Sequence, residues 1–314
     1  MQAQFAFVIE PQTRSRLEEA APLLSCVSAE RVRDEWFKIL QSPGAADALR
    51  ELQQLGLLRI IAPPLVNQQD ASQPAPRGQN AFHHAFEAVQ AIERLWASLG
   101  LCPPNQPLRL PTTLVALAPQ LGQRYEAPIC DERSHLALLK CAALLHSSGP
   151  ATPGAAAEIA ARLGSRWRCS RREIELLRTA VHYHTNVRQL AKEPGLSRRA
   201  IYRYYLETGE YGIDAALISL AGTLAAWEGE GLPQTWNHQT QVVARLLDAW
   251  FEHRTMLISP PPYLSGSDLI SLLGLSPGPQ IGELLRHLRE EQAAGEINTR
   301  QEAIARAREW ASHA

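Results

Sequence analysis

The sequence predicts an all-α protein, elongated and multi-lobed. Three observations carry that expectation. Apolar residues recur at i, i+3, i+4 and i+7 over most of the chain, the period of a single helix face. No β pattern alternates with the helical one, and only Phe5 to Ile9 reads briefly as a strand. Two stretches, near 67–80 and 257–265, break the periodicity with Pro, Gln and Ser and group the helices into lobes.

The elements follow in order. Ser28 can cap a helix whose stripe is Val32, Trp36, Ile39 and Leu40. A second helix buries Ala45, Leu49 and Leu52, and Gly56 stops it. Residues 67–80 are polar and rich in Pro and Gln, and read as a linker. From Ala81 to about Gly100, Phe86, Val89, Ile92 and Trp96 line one face. Leu136 to Leu145 is almost continuously apolar, too short to cross a membrane and therefore a buried helix. Ser170 and Glu173 form a capping box ahead of Ile174, Leu177 and Val181. Ser197 opens another helix, small residues pack a helix over 217–227, and one more covers 240–253. Three short helices close the chain, the last capped by Thr299 and Glu302.

Composition bounds the function. With 45% apolar and 20% charged residues over 314 positions, the chain has enough core for two or three domains and is not disordered. The net charge of -1 gives no global signal for a polyanion partner. The five cysteines are scattered, with no C-x-x-C pair, so neither a disulfide framework nor a zinc finger is expected. The first ten residues lack a signal-peptide pattern and no apolar run reaches about 18 residues, so a cytoplasmic protein without membrane association is expected.

Motifs then narrow the reading. The runs F-A-F-V-I-E-P-Q-T (5–13), V-S-A-E-R-V-R-D-E-W-F-K-I-L-Q-S-P (27–43) and L-x-x-L-G-L-L (52–58) resemble the neck helices of bacterial class II tRNA nucleotidyltransferases and poly(A) polymerases. The run S-G-S-D-L-I-S-L-L-G-L-S-P-G-P-Q-I-G-E-L-L (265–285), with G-E-I-N-T-R-Q-E-A-I (295–304), is similar to the tail of the same family. The stretch between them resembles an HD-type helical body. The resemblance implies a neck over 1–66, the linker 67–80, a body over 81–256 and a tail over 257–314. It also implies tRNA or a tRNA-like RNA as partner.

Two departures from the family stand out. Members carry a nucleotidyltransferase head that uses Mg²⁺ and NTP through an Asp-x-Asp pair, and a Glu-Asp-x-x-Arg motif that reads the base. Neither motif occurs in this sequence. No cofactor is therefore expected here, and no catalytic residue is assigned. A head that is lost, cut off or separately encoded would fit equally. The HD pattern is eroded as well. His84 and His146 remain, but Ser147 and Gly222 stand where the pattern has Asp. His182 and His184 lie nearby in sequence, and no metal is expected at these vestigial positions.

Charge concentrates locally. Residues 160–205 hold eleven basic and three acidic side chains, a local +8, interleaved with Trp167, Tyr183, Tyr202, Tyr204 and Tyr205. Arg162, Arg166, Arg198, Arg199 and Arg203 are the RNA-binding candidates of this stretch. Arg31 and Arg33 are those of the neck. In the tail, Gly278 and Gln280 flank Pro279 at a helix start that can offer backbone N–H groups to a phosphate, with Arg286 a turn or two on. The expected function is a non-catalytic RNA-binding region of a tRNA nucleotidyltransferase-like protein. A metal-dependent HD phosphohydrolase, or a module docking a separately encoded head, are the alternatives.

Overall fold

The computed structural model describes residues 8–66, 81–102, 108–130, 133–150, 152, 154–227 and 231–313. The linker read at 67–80, and most of the strand read at 5–9, lie outside these residues. The neck-like segment contributes α1 (Pro11–Ala20), a 3₁₀ turn (Ala21–Cys26), α2 (Ala29–Gln41), α3 (Ala45–Gln54), α4 (Leu58–Ile61) and α5 (Pro63–Val66). The body holds α6 (Ala81–Ser98), α7 (Thr112–Ala116), α8 (Ala118–Glu126), α9 (His135–Leu145), α10 (Ala155–Arg166), α11 (Arg171–Leu190), α12 (Arg198–Thr208), α13 (Gly212–Ala225), α14 (Trp236–Phe251) and α15 (Arg254–Leu257). The tail is α16 (Gly266–Leu273), α17 (Pro279–Ala294) and α18 (Arg300–His313). The all-α expectation holds, with one addition. A two-stranded antiparallel hairpin pairs β1 (Pro128–Cys130) with β2 (Arg133–Ser134), and three and two residues are too few to show a period in sequence.

Local chemistry explains most helix ends. Ser170 accepts from the Glu173 backbone while the Glu173 carboxylate accepts from Ser170 N, a complete capping box. Ser197 and Ser134 cap α12 and α9 in the same way through one bond each. A further box, Ser265 with Asp268, opens α16 and is absent from the sequence reading. Ser28 stands at the N-cap of α2, but its side chain makes no capping bond. At Thr299 the box is shifted, because the Glu302 carboxylate accepts from Asn298 N instead.

One continuous apolar core joins the neck-like helices to the body, from Trp36 and Leu65 to Leu247 and Leu257. The buried Trp36 and Phe37 of α2 pack on the Trp167 ring, with centroids 5.7 Å and 6.4 Å away. The Trp167 indole donates to the Ile61 carbonyl at 3.0 Å. Burying rings of this size stabilises by about 2–3 kcal/mol each. Lys140, inside the apolar α9, reaches Ser42 O at 3.0 Å and Glu93 Oε1 at 2.9 Å, so its charge is paired where the neck crosses the body. The tail has a smaller core of its own, built on Leu264, Leu269, Ile281, Leu284, Leu288 and Ile297.

A buried ion pair fastens neck, hairpin and body together. Arg133 of β2 grips Glu173 with two bonds of 2.6 Å and 3.1 Å, and its Nη1 lies 3.6 Å from Asp34 of α2. Glu173 is fully buried, so removing it strands a guanidinium and unmakes the cap together. Glu173→Ala should lower unfolding stability by about 3–5 kcal/mol in urea titration. A loss under about 1 kcal/mol would show that the pair does not hold this junction.

Candidate RNA interface

The basic residues divide into those bound inside the protein and those left facing solvent. Arg33 donates to Asp34 at 2.9 Å and to the Arg168 carbonyl at 2.7 Å. Arg166 donates to the Ile60 carbonyl at 2.8 Å. Both arginines tie the neck to the body. Arg199 pairs with Glu296 at 2.7 Å and Glu290 at 3.5 Å, and Arg203 pairs with Glu290 at 2.6 Å. These pairs bind α12 of the body to α17 of the tail. Four of the predicted RNA contacts thus have internal partners 87 to 135 residues away, a distance at which sequence reveals no pairing.

What remains exposed forms two patches. On the body–tail seam, Arg286 and Arg289 of α17 act on Tyr202 of α12. Burial pushes that phenol up, and the two guanidiniums oppose the shift. Arg198 lies alongside, its Nη1 only 2.9 Å from where a Cβ on Gly295 would stand. Gly295 ends α17 at φ 82°, so glycine there satisfies both the left-handed cap and the packing of Arg198. Gly278 and Gln280 are exposed at the other end of α17, where Pro279 takes the first helical position. Gly278 itself has φ 176°, extended backbone open to any residue.

The second patch lies where the neck meets the body. Arg31 is exposed on α2, Arg162 on α10 and Arg171 at the start of α11, and no ion pair holds any of them among the described residues. Arg168 stands out. It links α10 to α11 at φ 55°, a left-handed position that glycine usually fills, and its side chain is exposed. Its N–H and that of Cys169 turn back to Ser165 O and Gly164 O, and its carbonyl receives Arg33. Sequence places Arg168 in the basic stretch but not in a strained turn. A non-glycine held there costs roughly 1 kcal/mol and keeps a cation at the neck–body junction. Arg168→Gly should therefore raise stability by up to about 1 kcal/mol while weakening RNA binding severalfold. A variant that gains stability and binds RNA unchanged would show that the strain serves no contact.

The histidine cluster is a separate site. His84 Nε2 lies 3.0 Å from His146 Nε2, and the His146 and His184 rings meet edge to face at 5.1 Å. His146 and His184 bond their Nδ1 atoms to the Ala143 and Val181 carbonyls, both at 2.7 Å. Burial keeps all three imidazoles neutral, pushing His84 and His146 down and His184 to about 4. The neighbouring Arg188 charge acts in the same direction on each. His83 is apart from the cluster, beside Glu87, and the exposed His182 faces Gly154. Gly222 leaves the room His146 occupies, since a Cβ there would come 3.0 Å from its Nε2. Ser147 Oγ has no partner. Three neutral rings beside a guanidinium, with Ser147 and Gly222 next to them, do not fit a hydrolytic divalent ion.

These buried rings make stability depend on pH. The folded pKa of His184 lies below the ordinary 6.5 of the unfolded chain, so stability is intact above pH 6.5 and falls as pH drops toward 4. His184 alone should cost about 2 kcal/mol between pH 7 and pH 5. His184→Gln should remove that share of the slope in urea titrations at the two pH values. An unchanged slope would mean the ring is not held neutral.

Comparisons with known proteins agree with this geometry. Residues 6–68 match the family described as "Probable RNA and SrmB- binding site of polymerase A", and residues 234–307 match tRNA nucleotidyltransferase domain 2. An A-adding tRNA nucleotidyltransferase of Deinococcus radiodurans is 28% identical over 98% of this chain and 65% of its own length. A CC-adding tRNA nucleotidyltransferase of Thermus thermophilus is 28% identical over 96% of this chain and 63% of its own. The chain therefore spans less than two thirds of these relatives. A CCA-adding enzyme in its apo form I shares the fold with a TM-score of 0.53 at 16% identity, over 97% of this chain and 56% of that one. The fold is thus that of a helical portion of a CCA-adding enzyme. Two family models in the same order, and relatives that align over nearly the whole of this chain, make it similar to class II tRNA nucleotidyltransferases.

Proposed function

We propose that this chain is the RNA-gripping region of a tRNA nucleotidyltransferase-like protein and carries out no nucleotidyl transfer alone. The single observation that carries the reading is the pair of solvent-facing arginine patches on elements aligned with tRNA-processing relatives. The metal-and-NTP chemistry of the family would belong to a head supplied in cis or in trans. One observation favours docking such a head. Helix α1 buries none of its residues, and Val8, Leu17, Leu23 and Val27 leave an apolar strip exposed along the N-terminal segment. The HD-hydrolase alternative has no support from residues at the histidine cluster, where Ser147 and Gly222 supply no anionic ligand.

Binding should be electrostatic and shape-selective. Four to six neutralised phosphates give a slope of log K against log salt of roughly -3 to -5. Arg198→Ala with Arg286→Ala should flatten that slope by about one to two. Arg203→Ala should change it little, because Glu290 already neutralises that charge. Filter binding of a tRNA transcript over a salt series reads all three, and radiolabelled CTP or ATP reads any transfer. A slope near zero, equal affinity for unstructured RNA of the same length, or nucleotide incorporation by the purified chain would overturn this reading.

A further inference from the structure

A groove of about 530 Å³ opens where the end of α12 meets α14 and α15. Tyr205, Leu206, Trp250 and Arg254 are among its lining residues. It adjoins the body–tail seam, because the short α15 packs on both α12 and α17.

Three side chains stack in its wall. The buried Tyr205 is fixed by its hydroxyl, which donates to the Leu246 carbonyl at 2.7 Å. Trp250 packs on it, with centroids 5.1 Å apart and planes tilted by 39°. The Arg254 guanidinium sits over the Trp250 ring, 4.3 Å from its centroid. Arg254 is exposed, and its side chain engages no carboxylate or carbonyl among the described residues. In this it differs from Arg199 and Arg203, whose charges Glu290 and Glu296 already hold. A guanidinium held over an indole has given up much of the freedom of its long side chain, while its N–H groups stay open to solvent. Part of the ordering cost of a contact is then met before a ligand arrives.

Glu210 is the carboxylate of the lining, and its oxygens face other guanidiniums, Arg124 at 3.5 Å and Arg172 at 3.7 Å. These three residues border a separate cavity of about 390 Å³ beside the hairpin. Leu206 adds an apolar face to the groove, 58% exposed.

An oriented fork of N–H donors matches the two free oxygens of a phosphodiester. A guanidinium plane next to an exposed apolar side chain matches a base turned out of its stack. We propose that Arg254 on Trp250 is a further contact for the bound RNA, gripping one phosphodiester of an unpaired nucleotide whose base lies against Leu206. The proposal rests on the RNA-gripping reading for its partner. Continuity favours RNA over a second copy of the chain, since the groove adjoins the seam where Arg286 and Arg289 are also free of ion pairs among the described residues.

Filter binding of a tRNA transcript over a salt series tests it with single substitutions in the full chain. Arg254→Ala should weaken binding about fivefold or more and flatten the slope by about one. Arg254→Lys should recover the slope but not the affinity, since an ammonium keeps the charge and loses the fork and the plane. Leu206→Ser should weaken binding about twofold with the slope unchanged, because no charge is removed. All these side chains are exposed, so melting temperatures should stay within about 2 °C. An unaltered chain that binds tRNA with the expected slope, matched by Arg254→Ala, would overturn this contact and leave the RNA-gripping function standing. Full affinity in Arg254→Lys would reduce the site to bare charge and overturn it as well. Conversion of a dimer to a monomer by Arg254→Ala, with RNA binding unchanged, would assign the groove to a second copy instead. Absence of tRNA binding by the unaltered chain would remove both readings.

Discussion

The Arg133–Glu173 pair is the constraint on which the rest of the arrangement depends. Its two hydrogen bonds are fully inside the protein, and Glu173 also closes the N-terminus of α11. Because Arg133 reaches Asp34 as well, the same few atoms set the position of the neck against the hairpin and α11. Arg33 and Arg166 then meet carbonyls that this placement brings within reach. The exposed arginines of the neck–body patch hold their positions because their neighbours are spent on structure. A buried ion pair of this kind adds little net stability over an apolar substitute, but it is intolerant of losing one partner. Its contribution is to register.

The same economy separates structural from recognitive charge throughout the molecule. A local +8 in the sequence overstates the surface available to phosphate, since carbonyls and glutamates have already engaged several of its members. Arg286 and Arg289 gain weight for the opposite reason, because they stand near the Tyr202 ring and no ion pair is committed to them among the described residues. In the histidine cluster, the rings of His84, His146 and His184 pack against one another. Gly222 admits His146, and burial keeps the three imidazoles neutral.

Sequence made the local features legible and the distant ones not. The Ser170–Glu173 box, the helix over Leu136–Leu145 and the Pro279 helix start rest on neighbours within four residues or on uninterrupted apolarity. Lys140 breaks that apolarity, and nothing local indicates that Glu93 and Ser42 receive it. The hairpin is too short to carry a pattern. Arg168 shows its strain only through its φ angle. The cavity beside the hairpin assembles Gln120, Arg124, His135, Arg172 and Phe251 from four helices, and none of them sits in a recognisable motif. The histidine positions were legible only through the family resemblance, because His84 and His146 are 62 residues apart.

The seam between α12 and α17 has a consequence for how this protein responds to its solution. Much of it is ionic, and the tail has a separate core. Dissolved salt competes with Arg199–Glu290, Arg199–Glu296 and Arg203–Glu290 over the same concentrations at which it competes with phosphate contacts. As these pairs loosen, less would hold the tail against α12. Ionic strength would then act on the fold as well as on any bound partner. The seam between α12 and α17 would be the part of the structure most sensitive to salt, because its ties are exposed ion pairs rather than apolar packing.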